Sequence, residues 1–228
     1  MLLNMLFKAL AASSLANALV TAPMSMDERS LGKRQTLNGK ATFYGGNVEG
    51  GTCSFAGYKL PAGLYGTAIS DSNWNNAAQC GGCVAASYGG KYVTAMVSVP
   101  TSSGKDMPYL TNPYQIVDQC PGCGPNHLDL FQDAFTQLAP ASKGVINLNW
   151  QYVPCPHIQG PLEIRMKSGV SPYWFSAQVI NAQRRTSKLE VSTDQGRTWR
   201  RTQRQTYNYF EIASGELIKF HSICDGFV

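Results

Sequence analysis

The feature that most constrains the fold is a group of six cysteines confined to residues 53–155 of a 228-residue chain. A seventh, Cys224, lies close to the carboxyl end. Disulfides persist in oxidising compartments, so this density of cysteine is typical of a secreted protein with covalent bridges in its core. Spacing alone does not choose among the possible pairings. The six are Cys53, Cys80, Cys83, Cys120, Cys123 and Cys155.

The amino terminus has the pattern of a targeting segment. The stretch MLLNMLFKALAASSLANALV has a short apolar core followed by ANA, a small-x-small cleavage pattern. The apolar run is too short for a membrane span, and no other segment is long and apolar enough. We therefore predict a signal peptide at residues 1–18 and a pro-segment at residues 19–34 that ends in Lys33 and Arg34. The mature chain is predicted to be extracellular.

Composition and periodicity predict an all-β chain. It is 43% hydrophobic and 14% charged, and segments such as KATFYGG, YVTAMVSVP, GVINLNWQYVPC and WFSAQVIN are rich in strand-forming residues. One segment, LDLFQDAFTQLA at residues 128–139, has helical spacing. The proline-rich connector PCPHIQGP predicts a boundary between domains at residues 36–158 and 161–228.

Charge differs between the two predicted domains. Residues 36–158 hold five lysines against six acids, a net charge of −1, whereas residues 161–228 hold ten basic residues against six acids, a net charge of +4. A basic extracellular domain favours a polyanionic partner such as pectin, but a solvated basic surface explains the same charge. Nucleic acid is not expected as a partner of a secreted chain.

The segment VDQCPGCGPNHLDLFQDAF, at residues 117–135, concentrates the chemically active side chains. A zinc site is disfavoured because an oxidising compartment favours disulfides. A thioredoxin-like redox site is disfavoured because the chain lacks βαβ alternation, so we expect no metal and no cofactor. The remaining option is a carboxylate pair, Asp118 and Asp129, since glycosidic cleavage needs two carboxyl groups. A helix cap and a turn would explain the same two residues.

In combination, the motifs TFYGG, GGTCSF, CGGC, VDQCPGCGPNHLDL, AFTQL and GVINLNWQYVPC resemble the expansin superfamily across nearly all of residues 40–224. The pro-segment and layout are similar to those of fungal expansin-like proteins. The resemblance implies a six-stranded double-psi β-barrel related to family 45 glycoside hydrolases. It also implies a second domain, a small immunoglobulin-like β-sandwich similar to the family-63 carbohydrate-binding module.

The resemblance implies a polysaccharide-binding site on the barrel, in which Asp129 corresponds to the catalytic acid of the related hydrolases. Their catalytic base follows the first strand, where this chain has Gly45 and Gly46, so we expect a site that binds without hydrolysis. A tyrosine of bacterial relatives is replaced by Cys120. The barrel site is Thr42, Asp118 and Asp129.

For the second domain, the resemblance implies a row of exposed aromatic residues on which sugar rings stack: Tyr173, Trp174 and Tyr207. Without the resemblance, the strand pattern would place Trp174 and Tyr207 in a core. The implied disulfides are Cys53–Cys80, Cys83–Cys155 and Cys120–Cys123. Cys224 has no partner in this scheme, and the final strand of the sandwich is expected to be cut short.

The expected function is that of a monomeric, secreted, expansin-like protein that binds cellulose or a related wall polysaccharide such as xyloglucan, pectin or chitin. It would loosen noncovalent contacts between glycans. One alternative is an enzyme, either a weak endoglucanase or a lytic transglycosylase acting on β-1,4-glycans. The other is a barwin-like wall-binding or defence protein.

Overall fold

The computed structural model describes residues 35–90, 112–213 and 221–223. Four sequence predictions lie outside these residues: the signal peptide, the pro-segment, the strand YVTAMVSVP and the fate of Cys224. Within the described residues the chain is almost entirely β-structure, and the helices are short.

The first half of the described chain forms a closed barrel with the strand order β1-β5-β2-β4-β3-β6. Closure leaves no free strand edge, which removes the usual template for edge-to-edge association. The strands are β1 (Leu37–Tyr44), β2 (Tyr65–Ser70), β3 (Cys83–Ser87), β4 (Asn112–Cys120), β5 (Leu128–Phe131) and β6 (Ile146–Val153).

Two of the barrel's strand pairs are parallel, β1 with β5 and β2 with β4, and the other pairs are antiparallel. The register of β2 against β4 shifts between Thr67 and Ala68. Such an irregularity bends a strand and changes where its side chains point. This shift occurs beside the residues of the candidate site.

The barrel interior is filled by large apolar side chains, among them Trp150, Tyr114 and Ile116, each at most 1% exposed. Burial of each such side chain contributes about 1.5–3 kcal/mol to the free energy of folding. A short helix, α1 (Asp71–Trp74), follows β2, and a second, α2 (Gln132–Leu138), follows β5.

The helix predicted at residues 128–139 is shorter than its spacing indicated, because the structure assigns Leu128–Phe131 to β5. Leu128 and Leu130 are fully buried while Asp129 between them is not, which is the alternation of a strand. These residues also pair with both β1 and β2, so tertiary pairing prevails over local helical spacing. Asp129 therefore lies on a strand and not in a helix.

The second half of the described chain forms two further sheets, one with the strand order β11-β12-β8-β7 and the other with the order β10-β9-β13. The prediction of an all-β fold, a six-stranded barrel followed by a small sandwich, is confirmed. The strands are β7 (Glu163–Met166), β8 (Trp174–Ile180), β9 (Glu190–Ser192), β10 (Arg200–Arg201), β11 (Gln203–Arg204), β12 (Phe210–Ala213) and β13 (His221–Ile223).

Strand β8 connects the two halves through its alternating faces. Phe175, Ala177 and Val179 pack in the core of the sandwich. On the opposite face, Ile180 packs in the core of the barrel and Gln178 donates a hydrogen bond to the barrel. The four-stranded sheet therefore packs one face, which carries Phe175, into the sandwich core and the opposite face, which carries Gln178, against the barrel.

Buried donors of the sandwich bond to carbonyl groups of the barrel. Gln178 Nε2 donates to the carbonyl of Cys53 at 2.7 Å, and Asn208 Nδ2 approaches the same oxygen at 3.4 Å. Arg185 adds a bond to the Gln79 side chain at 2.7 Å. Since a buried carbonyl without a donor costs about 1–3 kcal/mol, these contacts fix the position of the sandwich on the barrel.

The three cysteine pairs implied by the resemblance are joined by disulfide bonds in the structure. Cys53–Cys80 and Cys120–Cys123 each have a Cα–Cα distance of 5.6 Å, and Cys83–Cys155 has one of 5.0 Å. The last connects the start of β3 to the segment that leaves β6. The Cys53–Cys80 bridge is next to the carbonyl that receives Gln178, so it braces the contact between barrel and sandwich.

Replacing Gln178 with alanine is expected to lower the free energy of unfolding by about 1–3 kcal/mol, because the buried Cys53 carbonyl loses its shorter hydrogen bond. Urea denaturation followed by tryptophan fluorescence measures this change. Gln203→Ala, at an exposed position on β11, is the control and is expected to leave stability unchanged. Equal stability of the two variants would contradict the assigned role of Gln178.

Candidate functional site

A row of residues crosses four neighbouring barrel strands and carries both candidate carboxylates. Thr42 on β1 pairs with Asp129 on β5, and Ala68 on β2 pairs with both Asp129 and Asp118 on β4. Neighbouring strands lie about 4.8 Å apart, so the Cα atoms of the two aspartates are about 10 Å apart across β2. The structure thus brings together the three barrel residues predicted from the sequence.

Asp129 is held through the hydroxyl of Thr42. Thr42 Oγ1 donates to Asp129 Oδ1 at 2.6 Å, and His127 Nε2 lies 2.9 Å from the same hydroxyl. A threonine hydroxyl has one proton, which here goes to Asp129, so His127 must be the donor at Nε2. The result is a directed chain from His127 through Thr42 to Asp129.

The environment keeps the His127 ring neutral. Burial lowers the pKa of His127, and the nearby Lys40 lowers it further, while Asp129 acts in the opposite direction. A neutral imidazole carries one N–H, and the hydrogen bond to Thr42 places it at Nε2. The ring can therefore orient Thr42 without adding a positive charge beside Asp129.

Asp118 is held more completely than Asp129. The backbone amides of Thr52 and Gln119 donate to Oδ1 at 2.7 and 2.8 Å, and the Tyr44 hydroxyl donates to Oδ2 at 3.1 Å. Burial and the neighbouring Asp118 raise the pKa of Tyr44, so the phenol keeps its proton. Both carboxylate oxygens of Asp118 are thus occupied, whereas Asp129 Oδ2 has no hydrogen-bond partner among the described residues.

The two glycines that follow β1 differ in the space around them. A Cβ atom on Gly46 would collide with the rings of Tyr44 and Phe131, so this position admits no side chain without rearrangement. A Cβ atom on Gly45 would meet no atom within 4 Å. Position 45 has room for a carboxylate, but the chain has none there.

The sandwich presents the three aromatic residues predicted from the sequence with different exposure. Tyr173 lies in the turn between β7 and β8 and is 57% exposed, the largest exposure among the aromatic side chains of the described residues. Trp174, the first residue of β8, and Tyr207, just before β12, are half-buried. None of the three is in the sandwich core.

The ammonium group of Lys167 lies among three aromatic rings of the sandwich. Its ammonium lies 4.5, 5.4 and 5.6 Å from the ring centroids of Tyr207, Trp174 and Tyr209, distances at which cation–π attraction operates. The same ammonium bonds the Tyr207 hydroxyl at 3.2 Å, which raises the pKa of Lys167. Tyr207 in turn donates to Glu211 at 2.8 Å.

The described residues contain no group of three or more His, Cys, Asp or Glu side chains able to hold a metal ion. Within the same residues, no helix has the length and apolar character needed to cross a bilayer.

Sequence reasoning missed four residues of these sites: Tyr44, His127, Lys167 and Tyr209. The alternation of β1 could have identified Tyr44, because residues two apart on a strand share a face and Thr42 was already assigned. His127 lies inside the segment at residues 117–135, but its bond to Thr42 spans 85 residues of sequence and no local pattern indicates it. The contact of Lys167 with Tyr207 spans 40 residues.

No protein-family model matches the chain. It is 29% identical over 201 residues to Expansin-like protein 3 of Dictyostelium discoideum, with 84% of this chain and 55% of that protein covered. The chain thus spans about half the length of this relative. It is 30% identical over 196 residues to Expansin-A32 of Oryza sativa subsp. japonica, with 79% and 71% covered.

Among solved structures, the chain is similar to an expansin of Clavibacter michiganensis, a mutant of which was solved in complex with cellohexaose. The TM-score is 0.62 at 30% identity, and 82% of each chain is covered. The superposition includes both halves of the described fold, since neither the barrel nor the sandwich alone accounts for that share.

Replacing His127 with glutamine is expected to reduce the loss of stability between pH 7 and pH 5. In the wild type the pKa of His127 is lower in the folded than in the unfolded chain. Its contribution is therefore complete above the unfolded pKa, about 6.5, and declines as the pH falls toward the folded pKa. Glutamine keeps an N–H donor but does not titrate.

Urea denaturation at several pH values measures this effect. His157→Asn, at an exposed histidine, serves as the control. If the wild type and His127→Gln lose the same free energy of unfolding between pH 7 and pH 5, the lowered pKa of His127 is wrong.

Proposed function

The chain belongs to the expansin superfamily, and we propose that it binds cellulose or a related cell-wall polysaccharide and loosens noncovalent contacts between glycan chains without hydrolysing them. We further propose that it acts outside the cell, as a monomer. The observation that carries the proposal is a difference in hydrogen bonding between the two barrel carboxylates. Both oxygens of Asp118 accept hydrogen bonds, whereas among the described residues only one oxygen of Asp129 does.

Glycoside hydrolysis needs one carboxyl group as acid and a second as base or nucleophile. Asp118 is poorly suited to the second role, because Thr52, Gln119 and Tyr44 already occupy both of its oxygens. Gly45 and Gly46 bring no carboxylate of their own. Asp129 is thereby left as a single carboxylate, one oxygen of which accepts no hydrogen bond from the part of the chain that the structure describes, and this supports binding without cleavage.

A carboxylate with a free oxygen is a strong acceptor for a sugar hydroxyl. Hydrogen bonds to ionised groups are shorter and about twice as strong as those between neutral groups. Asp129, oriented by Thr42, can therefore compete with the hydroxyl–hydroxyl bonds that hold neighbouring glucan chains together. Competition at one sugar weakens chain association locally and breaks no covalent bond.

The aromatic residues of the sandwich support a pyranose polymer as the ligand. The C–H faces of pyranose rings are apolar and pack flat on aromatic rings, while ring hydroxyls remain available for polar partners. Tyr173 is exposed, and Trp174 and Tyr207 are partly so. The cellohexaose bound by the mutant Clavibacter expansin is a ligand of this class.

The geometry of β8 supports one polymer contacting both halves of the protein. Trp174 begins the strand, and Gln178, four residues later, bonds to Cys53 of the barrel. Four strand residues span about 14 Å, so the aromatic group and the barrel adjoin on one face of the sheet. Acidic matrix polysaccharides are a further candidate because the sandwich segment is basic.

Asp129→Asn tests the proposal, because the amide keeps the shape of the side chain and removes its charge. In a pull-down assay, we expect the variant to bind cellulose as the wild type does. Its activity in weakening filter paper is expected to be at least about tenfold lower than that of the wild type. We expect neither protein to release reducing sugar from amorphous cellulose or peptidoglycan.

Two results would contradict this account in different ways. Sustained release of reducing sugar by the wild type, abolished in Asp129→Asn, would identify an endoglucanase or lytic transglycosylase. Binding to insoluble glycan with no weakening of paper by the wild type would identify a wall-binding protein of the barwin-like kind. Asp133→Asn, on the exposed side of α2, is the matched control for charge.

Replacing Tyr173, Trp174 and Tyr207 together with alanine is expected to raise the dissociation constant for cellulose by about tenfold or more, since aromatic contacts contribute about 0.5–1.5 kcal/mol each. Depletion isotherms on microcrystalline cellulose measure this change. Trp199→Ala removes an aromatic ring from the hairpin between β9 and β10 and is the control. Unchanged binding by the triple variant refutes the role of the aromatic group.

A further inference from the structure

An open groove of about 980 Å³ begins at Thr42 and His127 and extends along the outside of the barrel. This volume lies at the upper end of the range for ligand sites. The site described above uses only the end of the groove at Thr42 and His127, which Thr42 connects to Asp129. The rest of the groove is without an assigned role.

The floor of the groove is a ladder of exposed polar residues on β1 and β6. The strands pair antiparallel, so Lys40 is opposite Asn147 and Asn38 is opposite Asn149. All four are exposed, and they continue the outward row of β1 that carries Thr42 and Tyr44. None of the three asparagine side-chain amides has a hydrogen-bond partner among the described residues.

The wall of the groove is the loop at residues 121–126, which is braced from several directions. The Cys120–Cys123 disulfide closes its first part. At its end, the carbonyl of Asn126 accepts a bond from Trp150 Nε1 at 2.8 Å, and its side chain bonds to Asn73. A Cβ atom on Gly39 would collide with Asn126, so the loop packs directly on the backbone of β1. The groove is therefore preformed.

The groove follows the outward row of β1 from Thr42 to Asn38. Cys53 contacts the sandwich, the adjacent Thr52 contacts Asp118, and Asp118 is followed across the barrel by Asp129 and Thr42. From there the outward row of β1 runs back to Asn38. Six strand residues separate Tyr44 from Asn38, a distance of about 20 Å.

We propose that this distal groove, formed by Asn38, Lys40, Asn147, Asn149, Val145 and the loop at residues 122–125, binds the continuation of a neutral β-linked glucan chain beyond Asp129. The inference rests on the proposed function and adds a binding surface to it. The glycan contacts the protein on both sides of Asp129, so that carboxylate acts on the interior of a held chain.

The chemistry of the lining selects a neutral glycan. Asparagine amides present a donor and an acceptor together, which matches the hydroxyl pairs of a sugar. Val145, 52% exposed, offers an apolar surface for a pyranose face. Lys40 is the one charged residue among the described lining residues, and a single lysine is a weak determinant for a polyanion.

The test uses the full-length protein and the soluble polymer hydroxyethylcellulose in affinity electrophoresis. Asn38→Ala combined with Asn149→Ala removes two exposed amides. We expect the dissociation constant to rise about fivefold or more, because two hydrogen bonds to sugar hydroxyls are lost. Lys59→Ala combined with Gln159→Ala, two exposed residues outside the groove lining, is the matched control and is expected to migrate as the wild type does.

A second measurement needs no substitution. In ¹⁵N-labelled wild type, the side-chain amide resonances of Asn38, Asn147 and Asn149 are expected to shift on titration with cellohexaose. The distal groove is not a glycan site if two results are obtained together. The asparagine resonances remain unchanged at cellohexaose concentrations at which the shift of the Trp174 indole resonance has reached its plateau, and the double variant migrates as the wild type does. If the wild type binds neither probe, the proposed function itself fails.

Discussion

The parallel pairing of β1 with β5 is the constraint on which the rest of the structure depends. Its register sets Thr42 beside Asp129 and thereby creates the hydrogen bond that orients the carboxylate. The same pairing brings the loop before β5 against Gly39, where only a residue without a side chain fits. A shift of one residue would turn every side chain of β1 to the other face and would place Ala41, now fully buried, in the site.

Much of the fold could be predicted from the sequence, because cysteine density and strand alternation are local signals. The strands at KATFYGG and GVINLNWQYVPC follow from alternation alone. The error at residues 128–131 shows the limit of such signals: LDLF continues a helical spacing, yet two neighbouring strands recruit it into the barrel. Local periodicity does not contain that information.

The chemically informative contacts were the hardest to predict, because they join residues distant in sequence. Tyr44 reaches Asp118 across 74 residues and Thr42 reaches Asp129 across 87. The family resemblance matched Asp129 to the catalytic acid of the related hydrolases, but it did not show that Asp118 and Asp129 differ in the hydrogen bonds that their oxygens accept. The difference depends on the backbone amides of Thr52 and Gln119, and a side-chain motif does not show where backbone amides lie.

The segment Thr52–Cys53 has a mechanical consequence. Its amide end bonds to Asp118, its carbonyl end receives Gln178 from the sandwich, and the Cys53–Cys80 bridge anchors it between them. Under the proposed function, tension in a polymer bound to the aromatic residues of the sandwich would pass along β8 and through these two residues to the barrel site. The protein would then act as a stiff coupling between two points of attachment, and a force applied at one of them would reach a sugar held at the other.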